Sequence, residues 1–230
     1  MTRILAIESS TTVCSVAVCD QDKVLALREV NDGYKHAVLL TRFIEEVLKE
    51  TGTAASDLDA VAVSKGPGSY TGLRIGVSAA KGICFAHRIP LIAVSALEGI
   101  ALRLAAELTP QDVIIPMIDA GRMEVYASVW SGRMEEMEPL QARIISGDSF
   151  DHLMQSGSLV LAGNGASKCR GLFQGNPDVI IRDDILPSAR WIHPLANNAL
   201  KNHHFEDLAY FEPLYLKEFV AGKPRVKGLF

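Results

Sequence analysis

The sequence predicts an α/β fold made of two duplicated lobes, each with a mixed sheet covered by helices. Strand-like runs alternate with helical runs along the 230 residues, and this alternation indicates parallel strands with helical cover. The order hairpin, strand, helix, strand, helix, strand, helix occurs twice, and each hairpin has an acidic residue where an apolar strand enters a turn. We therefore expect lobes over residues 1–108 and 109–205, with 206–230 packing back on the first lobe.

The first half opens with a predicted hairpin whose strands are rich in β-branched residues, as strands generally are. A polar turn at 8–12 separates its strands, 4–7 and 14–18. A glycine-bearing loop is expected after the fourth strand, and Gly52 is expected to end the first helix. The remaining predicted elements are strand 23–30, helix 35–50, strand 58–64, helix 72–87, strand 90–94 and helix 96–108.

The second half repeats this plan with an offset of 111 residues. The offset places Ile118 on Ile7, Asp119 on Glu8 and Val129 on Val18. The predicted elements are hairpin strands 115–118 and 124–129, strand 137–145, short helix 149–155, strand 159–162, a loop at 163–165, a short helix, strand 179–182 and helix 189–201.

The composition indicates a globular protein without an extended nucleic-acid surface. Hydrophobic residues make up 48% and charged residues 22%, which excludes the disordered classes. Lys+Arg number 23 against Asp+Glu 27, a net charge of −4, whereas domains that depend on phosphate contacts are usually basic. A basic run at Lys217, Lys223, Arg225 and Lys227 is interpreted as a solvated terminus rather than a nucleic-acid contact.

The cysteines, histidines and serines do not form recognisable catalytic or metal motifs. The four cysteines contain no CxxC pair, and Cys14 and Cys19 are expected on opposite faces of one strand. The six histidines supply no HxxxH and the serines no GxSxG, so a metalloprotease or serine hydrolase is not supported. Without a signal-like or membrane-length apolar run, we expect a reduced, cytoplasmic protein.

The duplicated plan resembles the fold of actin, sugar kinases and heat-shock ATPases (the ASKHA fold), in which two acidic hairpins hold a nucleotide's phosphates and metal. Here Ser10 stands where that family has a glycine, and Arg122 follows Gly121. The turn hydroxyls could line an anion site or satisfy the turn itself, and we favour the second reading. The candidate residues of a vestigial nucleotide site are Glu8, Ser9, Ser10, Thr11 and Asp119.

The two helices 35–50 and 72–87 have more apolar or small surface than one sheet requires. The apolar residues of the first fill about 180°, whereas a sheet-covering helix needs little more than ~100°, and Val38 lies outside even that arc. In the second, Gly72, Gly76 and Ala80 recur every four residues and predict a closely approaching backbone. We interpret both as signs of a protein partner, with burial inside the same chain as the alternative.

Four segments together resemble the TsaB, or YeaZ, family in the family's order. They are Ile4-Leu-Ala-Ile-Glu-Ser9, Lys65-Gly-Pro-Gly-Ser-Tyr-Thr-Gly-Leu-Arg-Ile-Gly76, Ile118-Asp-Ala with Glu124-Val-Tyr126, and Glu212-Pro-Leu-Tyr-Leu-Lys217. The glycine run otherwise fits neither the Walker pattern nor GxGxxG. The resemblance implies a non-catalytic dimerisation subunit in the synthesis of threonylcarbamoyladenosine, the modified adenosine beside the anticodon of tRNAs that read ANN codons.

The same resemblance implies partners and an interface. The partners would be a TsaD-like catalytic subunit, a TsaE-like ATPase and, for the chain alone, a second copy, with only indirect contact to tRNA and none to membranes. It implies no intrinsic cofactor, with ATP or ADP at the interface of the complex as the alternative. The implied dimer interface comprises Val38, Leu39, Arg42, Gly72, Arg74, Gly76, Ser78, Lys81 and Phe85. The alternative functions are a small-molecule kinase or ATPase of the same fold and an M22-type peptidase.

Overall fold

The computed structural model describes residues 2–21, 23–33, 35–154 and 157–217. Within these ranges the strands form two five-stranded sheets. The first half contains β1 (Arg3–Glu8), β2 (Val13–Asp20), β3 (Lys23–Asn31), α1 (His36–Thr51), β4 (Ala60–Gly66), α2 (Tyr70–His87), β5 (Leu91–Ser95) and α3 (Ala96–Ala105). The second contains β6 (Val113–Asp119), β7 (Glu124–Ser131), β8 (Glu136–Ile144), β9 (Leu159–Ala162), β10 (Val179–Arg182) and α4 (Ala189–Lys201).

The two sheets have the same topology, which confirms the predicted duplication. The first has the order β3-β2-β1-β4-β5, and the second, read from its other edge, has β8-β7-β6-β9-β10. In both, the hairpin strands pair antiparallel and the later strands pair parallel. Their hairpins differ by one residue, because Glu8 pairs with Ser15 whereas Asp119 pairs with Val125. The predicted offset of 111 therefore does not continue past the turns.

Both faces of the first sheet are buried. Alternate residues of β1 face opposite ways, as the pleat of a strand requires. Leu5 and Ile7 pack with α1 and α2, while Ile4 and Ala6 pack with α4. Cys14 and Cys19 lie in these two different clusters, as the sequence predicts.

The last helix of each half packs against the sheet of the other half. Ala189, Ile192 and Ala196 of α4 lie on the first sheet, and residues of α3 lie on the second sheet beside Ile114 and Val160. The two helices touch where Gly99 faces Trp191. This exchange crosses the boundary that the sequence predicts between 1–108 and 109–205.

Two helix ends are set by capping residues. One predicted helix is much shorter in the structure than in the prediction. Gly52 ends α1 in the left-handed region at φ +61°, as predicted. Ser69 caps α2 by accepting a hydrogen bond from Gly72 N. The helix predicted over 149–155 is only a 3-10 turn at Asp151–Leu153, and residues 155 and 156 lie outside the described ranges.

Candidate protein interface and acidic turns

Helices α1 and α2 lie side by side and leave an open groove of about 610 Å³ between them. Two large apolar side chains on these helices are exposed, Val38 by 74% and Phe85 by 80%. Neither residue lines the groove, but exposed apolar groups on the helices that form it are typical of a protein contact surface. We call Val38, Phe85 and the groove the α1–α2 face. The groove is lined by His36, Ala37, Leu40, Thr41, Tyr70, Thr71, Arg74, Ile75, Ser78 and Ala79.

Most of the apolar side chains of α1 pack against other parts of the same chain. Leu40, Ile44 and Val47 are buried in the first core cluster, and Leu39, Phe43 and Leu48 pack against that cluster. The wide arc therefore reflects packing on both the sheet and α2, which was the alternative interpretation. The surface left for a partner is narrower than the arc predicts, and it includes Val38.

The predicted interface residues divide into two groups. Arg74 and Ser78 line the groove, and Arg42 is exposed beside its ion pair with Glu46. By contrast, Leu39 is half-buried and packs against the first core cluster. Lys81 is half-buried and donates to the carbonyl oxygens of Ala209 and Phe211 at 3.3 and 3.1 Å.

Gly72 and Gly76 do not belong to this surface, so their assignment to a dimer interface is corrected. A Cβ at Gly72 would lie 2.2 Å from the carbonyl oxygen of Ser9, and one at Gly76 would lie 2.2 Å from Ser9 Oγ. The closely approaching backbone that these glycines predict is therefore the first acidic turn of the same chain. Both glycines are buried against it.

The first acidic turn is enclosed. Glu8 is 1% exposed, and its Oε1 accepts a 2.6 Å hydrogen bond from Ser10 N. Burial raises the pKa of Glu8, an effect that the polar groups of Ser10, Ser64 and Ser9 oppose only in part. The glycine loop covers the turn, because Ser69 N donates to Ser10 O at 2.6 Å and a Cβ at Gly68 would overlap that oxygen. The glycine loop thus lies directly on the first acidic turn.

The turn hydroxyls do not share one role. Thr11 Oγ1 accepts a 3.2 Å hydrogen bond from Val13 N, which is the structural role that we favoured for these residues. Ser9 Oγ, Ser10 Oγ and Glu8 Oε2 are buried without a hydrogen-bond partner of normal geometry in the part of the chain described. For Ser9 and Ser10 the structural role therefore stays a prediction, although the polar groups of Ser10 do act on the Glu8 carboxyl of the same turn.

The second acidic turn is exposed at Asp119, and its two acidic side chains form ion pairs with lysines. The exposed Asp119 accepts a 2.6 Å hydrogen bond from Gly121 N and forms an ion pair with Lys168. Glu124 forms an ion pair with Lys217. The two acidic residues that the sequence aligns thus have opposite surroundings, since Glu8 is enclosed and Asp119 is neutralised by a cation. Of the basic run, Lys223, Arg225 and Lys227 lie outside the described residues.

Within the described ranges, no three histidine, cysteine, aspartate or glutamate side chains are grouped so that they could hold a metal ion. The four cysteines are free and buried, and burial raises the pKa of Cys14 to about 11 and that of Cys19 to about 12. None of the helices described has the length and apolar character that crossing a bilayer requires.

Comparison with known proteins identifies the family. The family model described as TsaD, tRNA N6-adenosine threonylcarbamoyltransferase, matches residues 33–222. The tRNA threonylcarbamoyladenosine biosynthesis protein TsaB of Escherichia coli is 31% identical over 96% of this chain and 97% of its own length. The chain belongs to the TsaB (YeaZ) family.

Two further matches fit this membership. A crystal structure from Pseudomonas aeruginosa, described as similar to peptidase YeaZ, superposes with a TM-score of 0.80 at 28% identity, covering 94% of this chain and all of the other. The tRNA N6-adenosine threonylcarbamoyltransferase of Streptococcus agalactiae is 35% identical, but over only 54% of this chain and 43% of its own. The predicted actin-like α/β fold is thereby confirmed.

Sequence reasoning missed Tyr70 and Tyr215, whose rings lie 4.9 Å apart at the edge of the groove. Arg74 Nε donates to the Tyr215 hydroxyl at 3.2 Å, and 141 residues separate the two. No local pattern signals such a contact. Both tyrosines do lie in the segments that resemble the family.

Proposed function

We propose that the chain is a non-catalytic subunit in the biosynthesis of threonylcarbamoyladenosine in tRNA, and that it acts by binding a TsaD-like catalytic subunit through the α1–α2 face. Full-length similarity to TsaB supports the pathway. The observation that carries the binding mode is the exposure of Val38 and Phe85 on the two helices that border an open groove.

The condition of both acidic turns supports a non-catalytic role. A nucleotide-binding turn of this fold presents backbone N–H groups to phosphate. Here Gly68, Gly72 and Gly76 bring the glycine loop and α2 directly onto Ser9 and Ser10, and Asp119 is paired with Lys168. Glu8 is therefore buried and Asp119 is paired with a cation, which argues against either carboxylate binding a phosphate-bound metal.

The remaining parts of the proposal concern the complex. The modified adenosine lies beside the anticodon of tRNAs that read ANN codons, and this chain approaches tRNA only indirectly because its net charge is −4. A TsaE-like ATPase joins the complex, and any ATP or ADP binds at the interface between subunits. Alone, the chain pairs with a second copy through the same face, in the cytoplasm.

Association with the partner tests the proposal. Val38→Asp or Phe85→Asp places a charge on the α1–α2 face and should weaken co-purification with the TsaD-like subunit at least about tenfold, since desolvating an unpaired charge in an interface is costly. Ile144→Asp is the matched control, because Ile144 is 72% exposed on β8, away from this face. Equal binding by all three variants would contradict the assigned surface.

A further inference from the structure

Residues 206–217 run across the first lobe without forming a helix, with a turn at 208–210, and make a series of contacts. We call them the strap. The strap begins at β5, where Glu206 N donates to Leu91 O at 2.9 Å. Lys81 of α2 then binds the carbonyl oxygens of Ala209 and Phe211. Further on, Leu214 N donates to Lys65 O at the end of β4, at 2.8 Å.

The far end of the strap reaches the second lobe. Leu216 packs in a cluster with Leu97, Ile118 and Tyr126. Lys217 forms the ion pair with Glu124, donates to Ala120 O at 3.2 Å and lies 5.6 Å from the centre of the Tyr126 ring. The last two described residues therefore hold the loop between β6 and β7, which is the second acidic turn.

Near its far end, the strap also contacts the groove, because Tyr215 binds Arg74, one of the residues that line it. Arg74 lines the groove, yet its Nε donates to the Tyr215 hydroxyl and its guanidinium carbon lies 4.3 Å from the centre of the Tyr70 ring. Tyr70 in turn contacts the Tyr215 ring. Arg74 is thus the point at which the groove and the strap meet.

We propose that the strap couples the state of Arg74 in the groove to the second acidic turn. A phenol hydroxyl is a weak partner for a guanidinium, whereas a carboxylate binds it with two charge-assisted hydrogen bonds. An acidic side chain that a partner inserts into the groove therefore takes Arg74 from Tyr215. Lys217 follows Tyr215 by only two residues, a reach of roughly 7 Å, so release of Tyr215 loosens Lys217 from Glu124.

The identity of the partner rests on the proposed function, but the coupling is a property of the chain alone. Amide hydrogen exchange over residues 119–125 is therefore measured on the isolated chain. Lys217→Ala removes the direct contact and should speed exchange there about fivefold, the effect of losing roughly one hydrogen bond. Arg74→Ala and Tyr215→Phe, which leave the Lys217 and Glu124 side chains in place, should speed exchange at the same residues by at least about twofold.

Arg42→Ala is the matched control, because Arg42 is an exposed arginine on α1 whose hydrogen bond goes to Glu46. It should leave exchange at 119–125 unchanged, and β1 should stay protected in every variant, which excludes general unfolding. If Lys217→Ala speeds exchange and both Arg74→Ala and Tyr215→Phe do not, the contacts are independent and the coupling is wrong. An unchanged rate in Lys217→Ala would equally overturn it. Neither result bears on partner association, which co-purification tests separately.

Discussion

The three glycines at 68, 72 and 76 are explained by the chain's own first turn. Each lies where a Cβ would come within about 2 Å of an atom of Ser9 or Ser10. The spacing in α2 predicts a close backbone, because only a missing side chain permits such an approach. At Gly72 the neighbour is indeed backbone, the carbonyl oxygen of Ser9, whereas at Gly76 it is the Ser9 side chain. The spacing does not say whose backbone approaches, since spacing along one helix contains no information about which element packs on that side.

Two glycine substitutions in α2 test whether Gly72 packs against Ser9. Gly72→Ala should destabilise the chain by about 1–3 kcal/mol, because the carbonyl oxygen of Ser9 is backbone and cannot move aside cheaply. Gly82→Ala should stabilise it by about 0.5–1 kcal/mol, since nothing lies within 4 Å of its Cβ and alanine favours the helix. Urea unfolding of both variants measures the difference. Equal stability would show that α2 is not packed on Ser9.

The enclosed Glu8 predicts a pH-dependent stability. Burial raises its pKa above the ordinary 4.5, so the folded state keeps a proton that the unfolded state has already released. Stability is therefore complete below about pH 4.5 and declines as the pH rises toward the folded pKa, by up to about 1.4 kcal/mol per pH unit. Glu8→Gln does not titrate, so its stability relative to the parent chain should increase between pH 4.5 and 8. If the urea midpoints of Glu8→Gln and of the parent chain changed in parallel across that range, the enclosure of Glu8 would be contradicted.

Helix α1 shows what hydrophobic periodicity can and cannot predict. The position of the helix and its end at Gly52 follow from the sequence. The width of its apolar arc does not show how many elements cover it, and α1 in fact packs on both the first sheet and α2. Val38 lies outside the apolar arc of this helix, and its side chain is exposed in the structure.

The N-terminus of α4 is attached to the first sheet by a polar network. Ser15 Oγ donates to Glu29 at 2.8 Å and accepts a 3.0 Å hydrogen bond from Ala189 N, and Ser188 Oγ also donates to Glu29. The neighbouring strands β2 and β3 and the N-terminus of α4, which lies 159 residues after Glu29, thus meet at one carboxylate. This network holds α4 across the boundary between the predicted lobes.

Removing the Ser15 hydroxyl should therefore loosen α4. Ser15→Ala leaves Ala189 N without its hydrogen-bond acceptor and removes one of the two hydroxyl groups that donate to Glu29 Oε2. We therefore expect a loss of about 1–2 kcal/mol in the free energy of unfolding. Ser167→Ala removes an exposed hydroxyl that donates to Asn164 O and should change it by less than about 0.5 kcal/mol. Denaturant unfolding compares them. If Ser15→Ala matched the control, the network would not hold the helix.

The duplicated architecture could be predicted from the chain because strand and helix periodicities repeat in the same order in both halves. The exchange of α3 and α4 between the sheets could not, since either helix has an apolar face that would suit either sheet. The sequence predicts that 206–230 packs on the first lobe, but the individual contacts of the strap were hidden, because residues such as Arg74 and Tyr215 meet only through the tertiary fold. Long-range contacts of this kind connect the α1–α2 face to the second acidic turn.

The central claim is that the protein works by binding a catalytic partner rather than by using its acidic turns. Reconstituted tRNA threonylcarbamoylation with the TsaD-like subunit and the other pathway proteins tests it most directly. Glu8→Gln and Asp119→Asn should retain both association and modification, whereas Val38→Asp should lose both. Loss of modification in either acidic-turn variant, with its association intact, would contradict the account.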